Sequence, residues 1–228
     1  MHVTDLPERS QDYLKGIYDL QEWPNGGASL TKLAAHIGQR PSTASEAVKR
    51  LAGQGLVDHA PYGDITLTET GRALALVMVR RHRLIETYLC RELGYSLAEV
   101  HAEAEVLEHA VSDVFVERIA NLMGHPLRDP HGDPIPDPRG NMQVPEVFSL
   151  ADARPGDRVY VDRLSDKDTA LLRHLQKHRV LPGVRIDVGE RPYPEMAEFT
   201  VGPDGHSLQL PVSSLGAILC RASEKDHA

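Results

Sequence analysis

Residues 101–109 read His-Ala-Glu-Ala-Glu-Val-Leu-Glu-His. In an α-helix, residues three and four positions apart lie on the same side. A helix over this stretch therefore presents His101, Glu105, Glu108 and His109 on a single face. Carboxylate oxygens combined with imidazole nitrogens favour a divalent metal such as manganese or ferrous iron. This face is a candidate metal site, although many Glu- and His-rich helical faces are simply exposed to solvent.

A second pair of the same residue types precedes this stretch. His82 and Glu86 are four residues apart within residues 80–86, so they also share a helical face. A hairpin of two successive helices would bring both sets of donors together. The two pairs together favour a metal site over a solvated face.

Length, charge and cysteine content exclude several classes of protein. The chain has 228 residues, enough for one large or two small domains, and a formal net charge of −8. That charge argues against a generally basic nucleic-acid coat protein but allows a local basic surface. Cys90 and Cys220 lie far apart, so neither a disulfide framework nor a structural zinc finger is expected. No apolar run reaches the length of a membrane span, and we expect a soluble cytoplasmic protein.

The first third of the chain has the pattern of a winged helix-turn-helix. Apolar spacing predicts helices over residues 6–20 and 30–36 and a third from residue 41 to residue 53 or 55, followed by two short strands over residues 56–59 and 65–68. Three helices followed by a two-stranded wing are typical of this DNA-binding motif. The alternative is a small helical subdomain without a role in DNA binding.

The third predicted helix carries short hydroxyl side chains at its start and basic side chains near its end. Such hydroxyls can approach base edges, and Lys49 and Arg50 can contact phosphates. The candidate DNA-binding residues are Thr31, Arg40, Pro41, Ser42, Thr43, Ser45, Glu46, Lys49 and Arg50.

The middle of the chain is predicted to be helical up to about residue 123. A long helix over residues 72–93 begins basic, and the following segment is acidic. A second apolar stripe on these helices indicates either a dimer surface or an ordinary monomer core. The proline-rich residues 124–145 are expected to form an extended linker, in which Asp129 and His131 could supply two more metal ligands.

The last third has a β-rich pattern. Strands are predicted over residues 158–164, 185–190, 197–201, 207–210 and 217–221, with one helix over residues 169–178. This pattern favours a small SH3-like β-barrel. The predicted fold class is mainly α with a small β domain. The domains are a winged helix-turn-helix over 1–72, a helical metal-binding and dimerisation domain with its linker over 73–145, and an SH3-like (FeoA-like) domain over 146–228.

The chain resembles the diphtheria toxin repressor and manganese transport regulator family of metal-dependent transcriptional repressors. The resemblance is carried by residues 12–18 (Asp-Tyr-Leu-Lys-Gly-Ile-Tyr), residues 80–86 and residues 100–109, and it extends over nearly the whole chain. It implies a homodimer that binds palindromic operator DNA when metal is bound and represses metal-uptake genes. It also implies that the protein is not an enzyme.

The resemblance further implies the metal and its ligands. The iron-sensing branch uses a Met and a Cys where this chain has Asp12 and Glu105, which points to the manganese-sensing branch. Hard oxygen donors in place of sulfur favour Mn²⁺, with Fe²⁺ as the other possibility. The implied ligands are Asp12, His82, Glu86, His101, Glu105, Glu108, His109, Asp129, His131 and Asp168.

Within that set, Glu86, Asp129, His131 and a carboxylate from the barrel, Asp168, resemble the second site of longer family members. One position departs from the family. Lys15 stands where some manganese regulators carry a Glu, so a two-manganese arrangement built around that Glu is not supported here.

Three other functions are compatible with parts of the sequence. The first is an iron-activated repressor of the same family. The second is a metal-dependent hydrolase, which would need an open coordination position and a general base. The sequence contains no H-E-x-x-H motif to supply them. The third is a metal-independent winged-helix regulator whose acidic face is only solvated.

Overall fold

The computed structural model describes residues 2–24, 26–60, 63–191 and 193–222. The chain divides into two compact units. The N-terminal unit comprises Met1–His82, Glu108–Val111 and Pro136–Met142, and the C-terminal unit comprises Arg83–Leu107, Ser112–Ile135 and Gln143–Ala228. Each unit has its own buried apolar core.

The N-terminal unit begins with three helices. They are α1 (Glu8–Glu22), α2 (Leu30–His36) and α3 (Pro41–Gly53). The Ser29 hydroxyl caps α2 by accepting a hydrogen bond from the Lys32 amide, and Pro41 occupies the first turn of α3, where its missing N–H has no cost. Gly38 adopts a left-handed φ of 64° and so permits the tight turn between α2 and α3.

A two-stranded wing follows these helices. Strand β1 (Val57–His59) pairs antiparallel with β2 (Ile65–Leu67). Leu14 and Ile17 of α1, Leu33 of α2 and Leu51 of α3 are fully buried in the common core. The prediction of a winged helix-turn-helix is therefore confirmed.

The three helices that follow are α4 (Glu69–Leu93), α5 (Leu97–Ala110) and α6 (Asp113–Leu122). Gly94, with φ of 75°, ends α4, and the Ser112 side chain caps α6. Residues 101–109 are helical throughout, as their spacing predicts. None of the helices in the described residues combines the length and apolarity that a membrane span requires.

The C-terminal unit ends in an antiparallel sheet. Its strands are β3 (Phe148–Ser149), β4 (Arg158–Leu164), β5 (Arg185–Val188), β6 (Met196–Val201), β7 (His206–Pro211) and β8 (Ile218–Ala222), arranged in the order β3-β8-β4-β5-β6-β7. Helix α7 (Thr169–Lys177) lies between β4 and β5 in the chain. The structure thus adds β3 to the five predicted strands. The predicted fold class, mainly α with a small SH3-like β domain, is confirmed.

Gly71, in the first turn of α4, tests how tightly the wing packs on that helix. A Cβ atom at this position would lie 1.8 Å from the Leu56 carbonyl oxygen, whereas a Cβ at Gly53, at the end of α3, would meet nothing within 4 Å. Gly71→Ala should therefore lower the free energy of unfolding by about 1–3 kcal/mol through overpacking. Gly53→Ala is the matched control and should leave stability unchanged or raise it by less than about 1 kcal/mol. Equal unfolding midpoints for the two variants in denaturant would contradict this packing.

Candidate metal centres

One cluster of possible ligands lies in the N-terminal unit, and we refer to it as the first centre. Asp12 of α1 and Glu108 and His109 of α5 each offer a donor atom, and these atoms all lie within 4.8 Å of one another. His109 Nε2 is 2.8 Å from Asp12 Oδ1 and 3.6 Å from Glu108 Oε1. Three donors from two helices therefore face a common point.

Glu108 is completely buried at this centre and is contacted through both oxygens. Its Oε1 accepts a hydrogen bond from Lys15 Nζ at 2.6 Å, and its Oε2 lies 2.5 Å from His82 Nδ1. Burial alone would raise the pKa of Glu108, but the charges and hydrogen bonds of His82 and Lys15 lower the pKa to about 2. The Glu108 side chain is consequently an ionised carboxylate.

A chain of contacts orients His109. The Gln11 amide donates to the Leu6 carbonyl at 2.8 Å, which leaves the amide oxygen 3.3 Å from His109 Nδ1. A proton on Nδ1 can be donated to that oxygen, and Nε2 then carries its lone pair towards Asp12. Metal-bound histidines are commonly oriented by such a partner on the other ring nitrogen.

The facing donors fit a cation. Asp12 Oδ1 is buried and, among the described residues, makes no hydrogen bond of good geometry, although His109 Nε2 is only 2.8 Å away. Burial raises the pKa of Asp12, against the opposing charges of His109 and Lys15. Two lone-pair donors at this distance need a proton or a metal ion between them. The first centre therefore suits a divalent metal bound by oxygen and imidazole.

The second centre lies in the C-terminal unit. Glu86 of α4 and the loop residues Asp129 and His131 are all buried, and their donor atoms lie within 4.8 Å of one another. His101 Nδ1 is 3.4 Å from Glu86 Oε1 and 3.0 Å from Asp166 Oδ2. Four chain segments thus converge on one acidic cluster.

The loop that carries Asp129 and His131 is held in place by its own hydrogen bonds. Asp129 Oδ1 accepts from the His131 and Asp133 amides, each at 2.9 Å. Gly132 has φ of 94°, and a Cβ there would lie 2.0 Å from the Asp162 carbonyl oxygen, so only glycine fits without strain. The two donors are therefore presented by a rigid turn.

The acidic neighbours at the second centre favour the protonated forms of its two histidines. Burial acts to lower the pKa of His131, but Glu86 raises it to about 10. Burial acts in the same direction on His101, whose pKa Asp166 and Glu86 raise to about 11. The pKa of Asp129 rises to about 8, chiefly through burial and then through the charges of Asp133 and Glu86. Carboxylates concentrated in this way favour a divalent cation in place of the protons.

His131 is also oriented for binding. Its Nε2 lies 3.0 Å from the Leu97 carbonyl and can only donate to it, which leaves Nδ1 facing Glu86 Oε2 at 3.5 Å. Within the part of the chain that the structure describes, buried Nδ1 has this contact with Glu86 but no hydrogen bond of good geometry. This arrangement repeats the partner-fixed imidazole seen for His109.

Asp166 and Asp168, two residues apart, have different contacts in the structure. Asp168, the predicted barrel ligand, caps α7 by accepting from the Ala170 and Leu171 amides, each at 3.0 Å. Asp166, which was not predicted, is the residue that contacts His101. The preference of Asp for a helix N-cap was the available signal, because α7 was predicted to begin at residue 169.

The remaining predicted ligands occupy different surroundings. His82 lies in the N-terminal unit against Glu108. The Glu105 side chain is 42% exposed, and its Oε1 lies 3.8 Å from His101 Nε2.

The predicted DNA-binding residues share a solvent-exposed position on or beside α2 and α3. These are Thr31, Arg40, Pro41, Ser42, Thr43, Ser45, Glu46, Lys49 and Arg50. Arg50 also donates a hydrogen bond from Nη2 to the Ser10 hydroxyl of α1 at 3.4 Å. This hydrogen bond links α3 to α1, the helix that carries Asp12.

Three family models match successive parts of the chain. Residues 5–65 match the N-terminal DNA-binding domain of iron-dependent repressors, and residues 68–137 match their metal-binding and dimerisation domain. Residues 148–222 match the FeoA domain. A solved manganese-dependent transcriptional repressor in complex with manganese is 45% identical in sequence and superposes with a TM-score of 0.89. The alignment covers 94% of this chain and 100% of the repressor chain.

The chain belongs to the diphtheria toxin repressor and manganese regulator family of metal-dependent repressors. Another solved member, the manganese regulator SloR, is 32% identical, with a TM-score of 0.77 and coverage of 94% of this chain and 98% of its own. Among curated relatives, the iron-dependent repressor IdeR of Mycobacterium tuberculosis is 36% identical over 125 residues. That alignment covers 54% of each chain, so the match spans about half the length of this relative.

The two aspartates before α7 provide a matched test of the second centre. Asp166→Ala should remove one bound Mn²⁺ per subunit or weaken its binding at least tenfold, because it deletes a carboxylate that faces His101. Asp168→Ala should retain metal stoichiometry and lose about 1 kcal/mol of stability, because it deletes only a helix cap. Isothermal titration and thermal unfolding distinguish the two. The reverse pattern would show that Asp168 is the ligand.

Proposed function

We propose that this protein is a homodimeric, manganese-activated transcriptional repressor of metal-uptake genes that acts in the cytoplasm. The observation that carries the proposal is the first centre, where buried Asp12 Oδ1 and His109 Nε2 face each other at 2.8 Å on the unit that also bears the DNA-reading helix. The three-domain division over 1–72, 73–145 and 146–228 is part of the same proposal.

The chemistry of the donors favours manganese. Both centres offer carboxylate and imidazole groups, and Asp12 and Glu105 occupy the positions that carry sulfur in the iron-sensing branch. Oxygen donors suit Mn²⁺, whereas thiolate and thioether ligands select softer metals. Of the relatives, one solved structure is described as a manganese-dependent transcriptional repressor and SloR as a manganese regulator, while IdeR is described as an iron-dependent repressor. An iron-activated repressor therefore remains the second candidate.

At the first centre, Asp12, Glu108 and His109 would hold the metal. A bound Mn²⁺ would supply the positive charge that these facing oxygen and nitrogen donors require. Asp12 then ties α1 to α5, and Arg50 and the shared core tie α1 to α3. Asp12, His109 and Glu108 would in this way favour the arrangement of α3 that binds DNA. This preference requires tighter metal binding in the DNA-competent arrangement than in the other.

At the second centre, Glu86, His101, Asp129, His131 and Asp166 would hold a further metal. These side chains come from α4, α5, the turn at residues 129–132 and the segment before α7. Their common role would be to fix the FeoA-like domain against the helices of the same unit. We assign Asp166 this role in place of Asp168.

Dimerisation would use the exposed apolar side chains of α5 and α6. Val106, Val114 and Leu122 are 68%, 64% and 66% exposed, and Phe115 is 40% exposed. If these side chains form one contiguous patch in the dimer, they would provide the apolar area that marks an interaction surface. A two-fold dimer presents α3 twice, and recognition helices about 34 Å apart read successive major grooves, which makes the operator palindromic. Short hydroxyls would read bases while Lys49 and Arg50 contact phosphates.

The role of Asp12 can be tested directly on DNA binding. Asp12→Ala should reduce the Mn²⁺-dependent gain in operator affinity at least tenfold, because it removes the ligand that joins α1 to α5. Asp19→Ala is the control, since Asp19 lies on the same helix and its contact is His36, at 3.5 Å. Fluorescence anisotropy with an operator selected from a random library measures both. Full Mn²⁺ stimulation in Asp12→Ala would rule out the first centre as the trigger.

A further inference from the structure

Lys15 is a buried cation within the first centre. Its side chain is only 8% exposed, and Nζ lies 2.6 Å from Glu108 Oε1 and 3.4 Å from His82 Nδ1. Lysine is rarely buried in proteins unless its charge is compensated. The compensating group here is a carboxylate that the proposed function assigns to the metal.

Lys15 and the metal would share one particular oxygen. Glu108 Oε1 accepts from Lys15 and also lies 3.6 Å from His109 Nε2, so it is the oxygen that faces the other donors of the centre. Glu108 Oε2 is directed instead to His82 Nδ1 at 2.5 Å. The ammonium of Lys15 therefore holds the carboxylate at the oxygen that a metal would also use.

We propose that the buried ammonium of Lys15 acts as a resident cation that competes with the metal for Glu108 and so sets the metal concentration at which the protein responds. This inference rests on the proposed function of the first centre. It concerns the affinity of that centre for the metal and not whether the metal binds there.

The charges at the centre explain the direction of the effect. Asp12 and Glu108 contribute two negative charges, which the ammonium of Lys15 and the charge of His82 partly cancel. Repulsion between an ammonium and a divalent ion is much stronger in a protein interior than in water. Part of it can be relieved because the lysine stem is flexible and the ammonium can move aside. A neutral side chain of similar length removes this repulsion and leaves Glu108 available to the metal.

The experiment compares Mn²⁺ affinity among variants at this position. Lys15→Gln and Lys15→Met should both bind Mn²⁺ at the first centre at least tenfold more tightly than the wild type, which corresponds to about 1.4 kcal/mol. The Mn²⁺ concentration for half-maximal operator binding should fall by a similar factor. Lys15→Arg keeps the charge and should stay within about threefold of the wild type. Lys32→Gln removes an exposed lysine from the same unit and should change nothing.

Titration calorimetry on each full-length variant provides the affinities, and Asp12→Ala identifies which step belongs to the first centre. Unchanged or weaker Mn²⁺ binding in folded Lys15→Gln and Lys15→Met would overturn the proposal, since Lys15 would then organise the ligands instead of competing with them. Failure of both variants to fold, judged by circular dichroism and thermal unfolding, would also overturn it. If Asp12→Ala binds Mn²⁺ like the wild type, the proposed function itself fails, independently of Lys15.

Discussion

The buried carboxylate of Glu108 is the interaction on which the N-terminal unit depends. It joins Lys15 of α1 and His82 of α4 to α5, so three helices meet at one ionised group. A buried charge that loses its partner typically costs about 3–5 kcal/mol, so these contacts hold the three helices to a specific arrangement. A metal that engages the same carboxylate acts on the contact that already positions these helices.

In both centres, a partner on one ring nitrogen orients a histidine whose other nitrogen could bind a metal. Gln11 faces one nitrogen of His109, and the Leu97 carbonyl faces one nitrogen of His131. In each case the other nitrogen faces a carboxylate oxygen, Asp12 or Glu86. The fold therefore provides orientation through backbone and amide partners, while carboxylates provide the charge that attracts a cation.

Helices and strands that follow from local periodicity could be predicted from the sequence. Contacts between residues far apart in the chain could not. Helices α1 to α5, the wing and α7 follow from apolar spacing, caps and turn residues, and the face of His101–His109 follows from helical geometry. The contact between Lys15 and Glu108 joins residues 93 positions apart, and no local pattern indicates it. The N-cap preference of Asp, with α7 predicted to begin at residue 169, indicates Asp168 as the cap, but no local pattern indicates that Asp166 meets His101.

If the metal positions α3 for DNA, the free energies of metal binding and DNA binding are coupled. Such coupling must be reciprocal. The most direct test is a titration of Mn²⁺ into the folded dimer with and without operator DNA at fixed salt. Couplings of this kind commonly amount to about 1–3 kcal/mol, so operator DNA should tighten Mn²⁺ binding about fivefold or more. Equal Mn²⁺ affinity in both titrations would contradict the account and leave the two centres with a purely structural role.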